Sequence, residues 1–397
     1  MKIGIWLGYD IKESAGGAFS YTDRLIQLID NHSFPEGVEV CFVSLLGGGE
    51  FNKEVFPLLN LPKLLSRCLK SHSVLYRYTI GLAKRYFRKN GIKSILDRYN
   101  VKMMYYIHQG ICLDSNFPFI ATNWDIGHRS THAFPELMWD GKTFEERESF
   151  YRSVLPKSLM VFCESKAGMD ELYQYTNIGY HKLRILPMFG GSVTRQIVTE
   201  EEESKYLQEY NLTKGKYFFY PAQFWAHKNH YNLIKAFSKI HNAYPDIKLV
   251  LSGSDKGNKA YIKELIAELG LESSVVFLGF VPIEVLYCMY KNATALVMAS
   301  HFGPTNMPPI EAMEIGCPVA CSDLIGHHEI LGDAAVYFDS FSASSMVNAI
   351  KEVYEHNSEY RGRIMHQRLT SIYSEKSAMD ALDKLLLEAV DIRLNWN

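Results

Sequence analysis

The stretch SSVVFLGFVPIEVLYCMYKNATALVMAS, residues 273–300, contains two short apolar runs with a helical pattern between them. The first run ends at Gly279, a turn follows, and Pro282 begins the helix, because proline suits the first position of a helix. A strand, a helix and a second strand in this order are typical of a parallel α/β unit. The same alternation extends outward from this stretch in both directions.

Strand-like runs occur in two sets along the chain. The first set lies at 2–7, 38–46, 102–108, 118–122, 158–164 and 182–187. The second set lies at 216–221, 247–252, 274–279, 295–300, 318–322 and 335–338. These runs are almost continuously apolar, as buried parallel strands are. The sequence therefore predicts an α/β protein with two Rossmann-like domains that face each other across a cleft.

A polar segment at 191–211, which contains the acidic run 200–203, separates the two sets. The acidic run indicates a solvated linker or the start of a helix. It predicts a linker between an N-terminal domain at 1–190 and a C-terminal domain at 212–372. The last segment, 373–397, has a helical apolar pattern over 378–390 and no strand after it. We expect this helix to cross back and pack on the first domain.

Composition excludes several classes of protein. The chain has 397 residues, of which 47% are hydrophobic, and this suits two globular domains. Its formal net charge of -2 argues against a dedicated nucleic-acid binder, which has a basic excess. The seven scattered cysteines have no metal-binding spacing and indicate a reducing compartment. No run approaches the ~20 apolar residues that span a bilayer. We expect a cytoplasmic protein.

One candidate site lies in FFYPAQFWAHKNHYNLIKAF, residues 218–237. A strand ends at Pro221, a loop carries Gln223 and Lys228, and a helix follows. A lysine at a helix N-terminus is placed to face an anion. Taken alone, such a lysine is usually part of the solvated surface.

A second candidate lies in HFGPTNMPPIEAMEIGCPVACSD, residues 301–323. Pro308 and Pro309 predict a helix start that places Glu311 in the first turn, where a carboxylate is favoured. The loop before this helix has amides that can cradle a phosphate. It consists of Gly303, Pro304, Thr305, Asn306 and Met307. In 273–300, the backbone at Phe280 and Val281 can hydrogen-bond a flat base. The alternative for 301–323 is an ordinary helix start, and the alternative for 273–300 is an ordinary βαβ crossover.

Together, these segments resemble the retaining glycosyltransferases of the GT-B fold, family 4. The matching positions are Gln223 with Lys228, 277–279, Gly303 through Glu311, 318–322, and Gly326 with Glu329. The resemblance is strong over 215–340 and looser over the N-terminal half. It implies that Lys228 binds the donor diphosphate, that Glu311 binds the ribose hydroxyls, and that the turn at Phe280 and Val281 contacts the base.

The chain departs from the family pattern at two positions. Gly303 stands where the first Glu of the E-x7-E segment would fall, and Gln223 stands where an arginine is usual. The segment GPTNMPPIEA resembles a variant of family 4. In that variant the loop amides and the side chains of Thr305 and Asn306 would contact the phosphates or the sugar.

The N-terminal half supplies the other wall of the predicted cleft. Gly16 and Gly17, in SAGGAFSY at 14–21, match the family's Gly-rich loop after the first strand. This is not GxGxxG, and no acidic residue follows at the right distance, so an NAD site fits poorly. The segment NWDIGHRSTHAFPE at 123–136 resembles a loop in which a histidine before an aspartate reaches the donor sugar. Trp124 occupies that histidine's place, so we predict His128 for the sugar, with His132 in reserve.

The resemblance implies transfer, with retention, of a hexose-type sugar from a nucleoside-diphosphate sugar to a glycan or lipid-linked acceptor. The process would be surface polysaccharide or glycolipid assembly, with Lys228 and His128 as catalytic residues. No cofactor is expected besides this co-substrate, and the absence of D-x-D predicts metal independence. The alternative is a catalytically inactive protein of the same fold that binds nucleotide-sugar or glycan. No segment favours an epimerase or a phosphorylase.

A basic stretch lies in the N-terminal half. Between Glu54 and Asp97 there is no acidic residue, while nine Lys and Arg residues within 61–93 alternate with apolar ones. Basic amphipathic helices of this kind lie on anionic membranes. The stretch predicts peripheral docking of residues 61–93 on the inner face of the plasma membrane. A solvated helix pair that covers the core is the alternative.

Overall fold

The two sets of apolar runs form two separate parallel sheets in the computed structural model, which describes residues 1–8, 17–61, 73–131, 134 and 142–395. The first sheet has the order β3-β2-β1-β4-β5-β6-β7, and the second has the order β10-β9-β8-β11-β12-β13. The strands of the first sheet are β1 (Lys2–Trp6), β2 (Glu39–Ser44), β3 (Val55–Pro57), β4 (Val101–Tyr106), β5 (Phe119–Asn123), β6 (Met160–Cys163) and β7 (Leu183–Ile185). Those of the second are β8 (Tyr217–Pro221), β9 (Lys248–Ser252), β10 (Val275–Gly279), β11 (Ala295–Met298), β12 (Val319–Ser322) and β13 (Ala335–Phe338). The predicted two-domain α/β fold is confirmed.

Helices connect the strands and cover both sheets. Those of the first half are α1 (Gly17–Asn31), α2 (Ser73–Asn90), α3 (Lys93–Leu96), α4 (Gly127–Ser130), α5 (Lys142–Ser153), α6 (Lys166–Tyr175) and α7 (Glu200–Glu209). Those of the second half are α8 (His230–Ala243), α9 (Lys259–Glu268), α10 (Ile283–Asn292), α11 (Met307–Ile315), α12 (Ile325–Leu331), α13 (Ala343–Glu355), α14 (Asn357–Thr370) and α15 (Glu375–Leu394). One apolar cluster runs through the second sheet and one face of the first, and a smaller cluster fills the other face.

The sheet topology determines where a ligand can bind. In the second sheet β8 lies between β9 and β11, with Phe219 level with Val250 on one side and Leu296 on the other. The strand order reverses between β8 and β11, so the loops after these strands diverge and leave a crevice at their carboxyl ends. The loop after β8 carries Lys228, and the loop after β11 carries Asn306. The topology thus brings two predicted site segments to one place.

The last helix returns to the first domain, as predicted. Three polar contacts connect α15 to it: Arg24 Nε lies 2.7 Å from Glu375 Oε1, His32 Nε2 lies 2.8 Å from Asp383 Oδ1, and Arg184 pairs with Glu388. The apolar face of α15 is buried at Ala378, Leu382, Leu386 and Ala389. The helix begins before the predicted 378–390 because the Ser374 hydroxyl caps it and accepts from the Ser377 N–H.

The structure adds one strand that the sequence did not predict, and it decides between the two interpretations of the acidic run in favour of a helix start. The short edge strand β3 has only three residues and includes a proline, so its pattern is too brief to predict. The acidic run 200–203 is the first turn of α7, where Thr199 and Glu202 form a capping box. The domain limits at 190, 211 and 372 stay a prediction, since the sheets alone do not define where each domain ends.

Helix α2 carries an exposed apolar stripe. Leu75, Tyr78, Leu82 and Tyr86 follow one another at helical spacing, and each is at least 53% exposed. Arg85 and Lys89 beside this stripe are exposed as well. No described helix, α2 included, is long and apolar enough to cross a membrane. Residues 62–72 of the basic stretch lie outside the described residues.

Candidate active site

A cavity of about 840 Å³ lies between the carboxyl ends of the two sheets. Its walls include Gly17 of α1, Gln223 and Lys228 after β8, the turn after β10, and Glu311 of α11. A second cavity of about 350 Å³ borders the first and is lined by Trp124, Asp125 and Arg147. Lys228, Asn306 and Met307 line both. We call these the larger and the smaller cavity.

Lys228 lies at the junction of the two cavities, and its backbone is held from both sides. The Tyr220 hydroxyl donates to the Lys228 carbonyl at 2.7 Å, and the Lys228 N–H donates to the Trp225 carbonyl at 3.1 Å. The ammonium Nζ donates to Asn306 Oδ1 at 2.9 Å and to Ser300 Oγ at 3.4 Å. A positioned cation therefore faces the space where an anionic ligand would lie.

The loop before α11 has an unusual backbone. Asn306 has φ 58° and ψ 133°, and Gly303 has φ 121°, both in a region that L-residues with a side chain rarely adopt. The Thr305 hydroxyl donates to Glu164 Oε1 at 3.2 Å, and the Asn306 amide contacts Lys228. Both residues line the smaller cavity, and contact of their side chains with the donor stays a prediction.

Backbone amides remain available to a ligand in this loop. Pro304, Pro308 and Pro309 have no N–H group, so the donors that the loop and the helix start can offer belong to Gly303, Thr305, Asn306 and Met307. Pro304, Thr305 and Met307 line the smaller cavity with Gly303. A phosphate or sugar oxygen in this cavity would meet backbone amides and the lysine rather than hydroxyl side chains.

Glu311 lies one residue further into its helix than the sequence predicts. Helix α11 begins at Met307, so Glu311 is its fifth residue and the first-turn prediction is wrong. Its carboxyl is only 9% exposed but lines the larger cavity, and Tyr290 Oη donates to Oε2 at 2.5 Å. Burial raises the pKa of Glu311 to about 7. Both charge states are therefore populated near neutral pH.

The turn after β10 forms one end of the larger cavity. Phe280 is 65% exposed, while Val281 is buried, and both line the cavity. The Gly279 carbonyl accepts from the Ser252 hydroxyl and from the Gly253 N–H, each at 3.1 Å. These bonds to β9 fix the turn. Gln223 also lines this cavity, and its Oε1 accepts from the Trp225 indole at 3.0 Å.

The first domain contributes the N-terminus of α1. Gly17, Ala18, Phe19 and Ser20 line the larger cavity, so the positive end of the α1 dipole points into it. A Cβ on Gly17 would lie 3.2 Å from Met307 Cγ, and this shows how closely the two domains approach here. Gly16 lies outside the described residues.

The second sheet and its helices also match a known family. Residues 202–368 match the family of glycosyl transferases group 1. This group 1 segment contains Lys228, the loop 303–307, Glu311 and the turn after β10.

Relatives and solved structures extend the comparison to the whole chain. The O-antigen chain mannosyltransferase RfbU of Salmonella typhimurium is 24% identical over 324 residues, which cover 80% of this chain and 82% of that protein. Sucrose-phosphate synthase from Thermosynechococcus elongatus superposes with a TM-score of 0.70 and 17% identity, over 98% of this chain and 99% of that one. Anabaena HepE in complex with UDP and glucose superposes with a TM-score of 0.66 and 16% identity, over 98% of this chain and 100% of that one. The fold is GT-B.

His128 does not reach the ligand space opposite the group 1 segment. It is fully buried, its Nε2 lies 3.0 Å from Glu148 Oε1, and burial lowers its pKa to about 4. Two bonds from Arg129 hold the same carboxylate, and they lower the pKa of Glu148 to about 2. Because His128 is not among the described residues that line either cavity, we assign it to the support of its loop.

Other residues of the same loop do line the smaller cavity. Trp124, which occupies the place of the family's histidine, and Asp125 both face it. Burial raises the pKa of Asp125, but the Arg147 guanidinium, 2.6 Å away, more than offsets this and holds it below its usual value. His132, the residue held in reserve, lies outside the described residues.

Several lining residues were not predicted from the sequence, and among them are Arg147, Trp225 and His227. Arg147 lies on the polar helix α5, and its approach to Asp125 is a tertiary contact that no local pattern reveals. Trp225 and His227 lie between Gln223 and Lys228, so their position within this predicted site loop could have identified them as candidates. No cluster of three His, Cys, Asp or Glu placed to hold a metal occurs within 1–8, 17–61, 73–131, 134 and 142–395. Metal independence stays a prediction.

Proposed function

We propose that this protein is a retaining, metal-independent glycosyltransferase that moves a hexose from a nucleoside-diphosphate sugar to a glycan or lipid-linked acceptor. The observation that carries the proposal is the position of Lys228 at the junction of the larger and smaller cavities, opposite the N-terminus of α1. The match of residues 202–368 to glycosyl transferases group 1 supports it.

The larger cavity offers a donor nucleotide its groups in a consistent order. The turn at Phe280 and Val281 suits the flat base, Glu311 suits the ribose hydroxyls, and Lys228 suits the diphosphate. In this pose the sugar enters the smaller cavity, beside Trp124 and Asp125. Aromatic faces and carboxylates are suitable partners for a sugar ring and its hydroxyls.

The chemistry follows from this arrangement. When the bond between the sugar and the diphosphate breaks, negative charge grows on the departing phosphate and positive charge grows on the sugar. Lys228 and the amides of loop 303–307 oppose the first of these charges in a partly dry site, where fixed positive groups act most strongly. Such stabilisation favours the transition state over bound substrate, so no side-chain nucleophile is needed.

The named relatives support the substrate class. The Salmonella relative is an O-antigen chain mannosyltransferase, and HepE has been crystallised with UDP and glucose. We therefore propose a nucleotide-sugar donor and a role in surface polysaccharide or glycolipid assembly. The donor nucleotide and sugar are best found with a panel that includes UDP-glucose, UDP-galactose and GDP-mannose.

The decisive test is turnover by the wild type and by Lys228→Ala. The wild type should release a nucleoside diphosphate from one donor, with the anomeric configuration retained by NMR and activity kept in EDTA. Lys228→Ala should lower kcat by about 10²-fold or more, and change donor KM less, because the lysine acts on developing charge. Lys239→Ala, an exposed lysine on α8, serves as the control.

Two outcomes would count against parts of this proposal. A change confined to KM would make Lys228 a docking contact. Binding of UDP or GDP without turnover of any donor would favour the alternative, a catalytically inactive nucleotide-sugar binding protein.

We also propose that α2 docks on an anionic membrane surface, which would present a lipid-linked acceptor to the cleft. The exposed stripe of Leu75, Tyr78, Leu82 and Tyr86 supplies apolar side chains for the interface. Neighbouring exposed cations, Arg85 and Lys89, are attracted by anionic lipid headgroups, at about 1 kcal/mol each.

A further inference from the structure

Four residues form a continuous hydrogen-bonded chain behind the cavity. His327 Nδ1 lies 2.8 Å from the Ser322 carbonyl, and His327 Nε2 lies 3.2 Å from Asn306 Nδ2. Asn306 Oδ1 then accepts from Lys228 Nζ at 2.9 Å. We call Ser322, His327, Asn306 and Lys228 the positioning chain.

The hydrogen bonds assign the tautomer of His327 and the orientation of the Asn306 amide. A backbone carbonyl only accepts, so His327 Nδ1 must carry the ring proton, and Nε2 of the neutral ring is then an acceptor. Nε2 accepts a hydrogen bond from the Asn306 NH2 group, and this orients the amide oxygen towards Lys228. Burial lowers the pKa of His327 to about 4, which keeps the ring neutral at physiological pH.

We propose that His327 and Asn306 are positioning residues that aim the Lys228 ammonium at the donor diphosphate. His327, together with the carbonyls of Phe302 and Gly303, orients the Asn306 amide. The amide oxygen, together with the Ser300 hydroxyl, orients the ammonium. The neutral amide oxygen orients the ammonium and leaves its positive charge available to the ligand. A carboxylate in the same place would neutralise that charge. The inference rests on the proposed function, because it assumes that Lys228 acts on a diphosphate.

The backbone around the chain is built to hold it. A Cβ at position 303 would lie 2.7 Å from Asn306 Nδ2 and 2.8 Å from Oδ1, so the space that glycine leaves is filled by the Asn306 amide. A Cβ on Gly326 would lie 1.2 Å from the Pro304 carbonyl, so α12 and the loop are in backbone contact. This contact keeps His327 against Asn306.

The position of the Asn306 amide explains why glycine fits at position 303. A longer side chain at 303, such as the glutamate of the family pattern, would overlap the Asn306 side chain. With glycine at 303, the Asn306 amide, which bonds to His327, occupies that space. Glycine at position 303 is therefore compatible with a catalytically active site.

Asn306→Gly separates positioning from folding. Because Asn306 has positive φ, glycine relieves backbone strain, and the melting temperature should stay the same or rise. The same change removes the amide that holds Lys228, so kcat should fall between about 10- and 100-fold while donor KM changes less than about threefold. The assay is release of nucleoside diphosphate from the donor that the wild type turns over.

A double-mutant cycle tests the role of His327. His327→Asn keeps a donor near Nδ1 for Ser322 and loses the acceptor at Nε2, and it should lower kcat per folded molecule about tenfold. In the Asn306→Gly background the same change should have an effect below about threefold, because both act through one path. His328→Asn, at the exposed neighbour that pairs with Asp323, is the matched control.

The outcomes separate this inference from the proposed function. A wild type with no turnover of any donor contradicts the proposed function itself. An active wild type with wild-type kcat in Asn306→Gly overturns the positioning chain alone. Fully multiplicative effects of the two substitutions would overturn the role of His327 through Asn306.

Discussion

At Glu311, burial and ligand binding act on the same carboxyl group in opposite directions. Burial raises its pKa from 4.5 to about 7, while ribose hydroxyls would donate to the ionised form and lower it again. A nucleotide should therefore bind with release of a proton, and its affinity should rise with pH between about 6 and 8. Calorimetry with UDP and GDP in buffers of different ionisation enthalpy measures both effects.

Glu311→Gln tests this interpretation. The variant should lose the pH dependence and about 1.5–3 kcal/mol of nucleotide affinity, because a charge-assisted hydrogen bond is gone. The free energy of unfolding has the opposite pH trend. The folded protein binds the Glu311 proton more tightly than the unfolded chain does, so this stabilising contribution is fully present below pH 4.5 and is lost as pH rises through 7. An affinity that stays independent of pH in the wild type would exclude the carboxylate from ribose binding.

Some site residues were predictable and others were not, for a physical reason. Lys228, Glu311 and Phe280 line one cavity because each follows the carboxyl end of a strand that local pattern identifies. Their roles stay predictions. Whether a loop histidine faces the cleft depends on partners such as Glu148, twenty residues away in another helix, and sequence periodicity contains no such information.

At the scale of elements, α2 gives a direct test of membrane docking. The protein should pellet with vesicles that contain anionic phosphatidylglycerol, and less so at high salt, since exposed charges are screened over about 8–10 Å at physiological ionic strength. Tyr78→Glu with Leu82→Glu should abolish pelleting by placing charge in the exposed stripe. Tyr173→Glu, at a half-exposed tyrosine of α6, should not. Absence of pelleting at low salt would remove the membrane proposal and leave the enzyme proposal intact.

The strands other than β3 were predicted within about two residues at each end. The strand β13 has the bounds expected from sequence, because Asp333 and Asp339 delimit its short apolar run. The start of α11 differs by one residue, because Asn306 adopts positive φ and lets Met307 enter the helix before the two prolines. The Asn306 side chain bonds to the distant residues Lys228 and His327 as well as to the nearby carbonyls of Phe302 and Gly303, and the distant contacts are not readable from local sequence.

At the scale of the whole molecule, Glu329 of α12 connects the two domains. Its carboxylate accepts from the backbone N–H groups of Lys166 and Ala167 at 2.8 and 2.7 Å, at the start of α6, and from the Tyr373 hydroxyl. Glu329→Ala should speed hydrogen exchange at the first turn of α6, because two amides lose their acceptor. Mass spectrometry of peptides around 166–167 measures this, with Glu388→Ala as the control far from this helix start. Unchanged exchange would mean that other contacts hold the domains together here.

The return of α15 to the first domain also orders events during synthesis. The sheet β1–β7 leaves the ribosome roughly two hundred residues before the helix that covers part of it, since α15 begins only at Glu375. Domains usually fold as they emerge, N-terminal first. Here Arg24, His32 and Arg184 meet their partners only once α15 has been made. The nascent first domain therefore has an uncovered apolar face from the completion of β7 until α15 is synthesised.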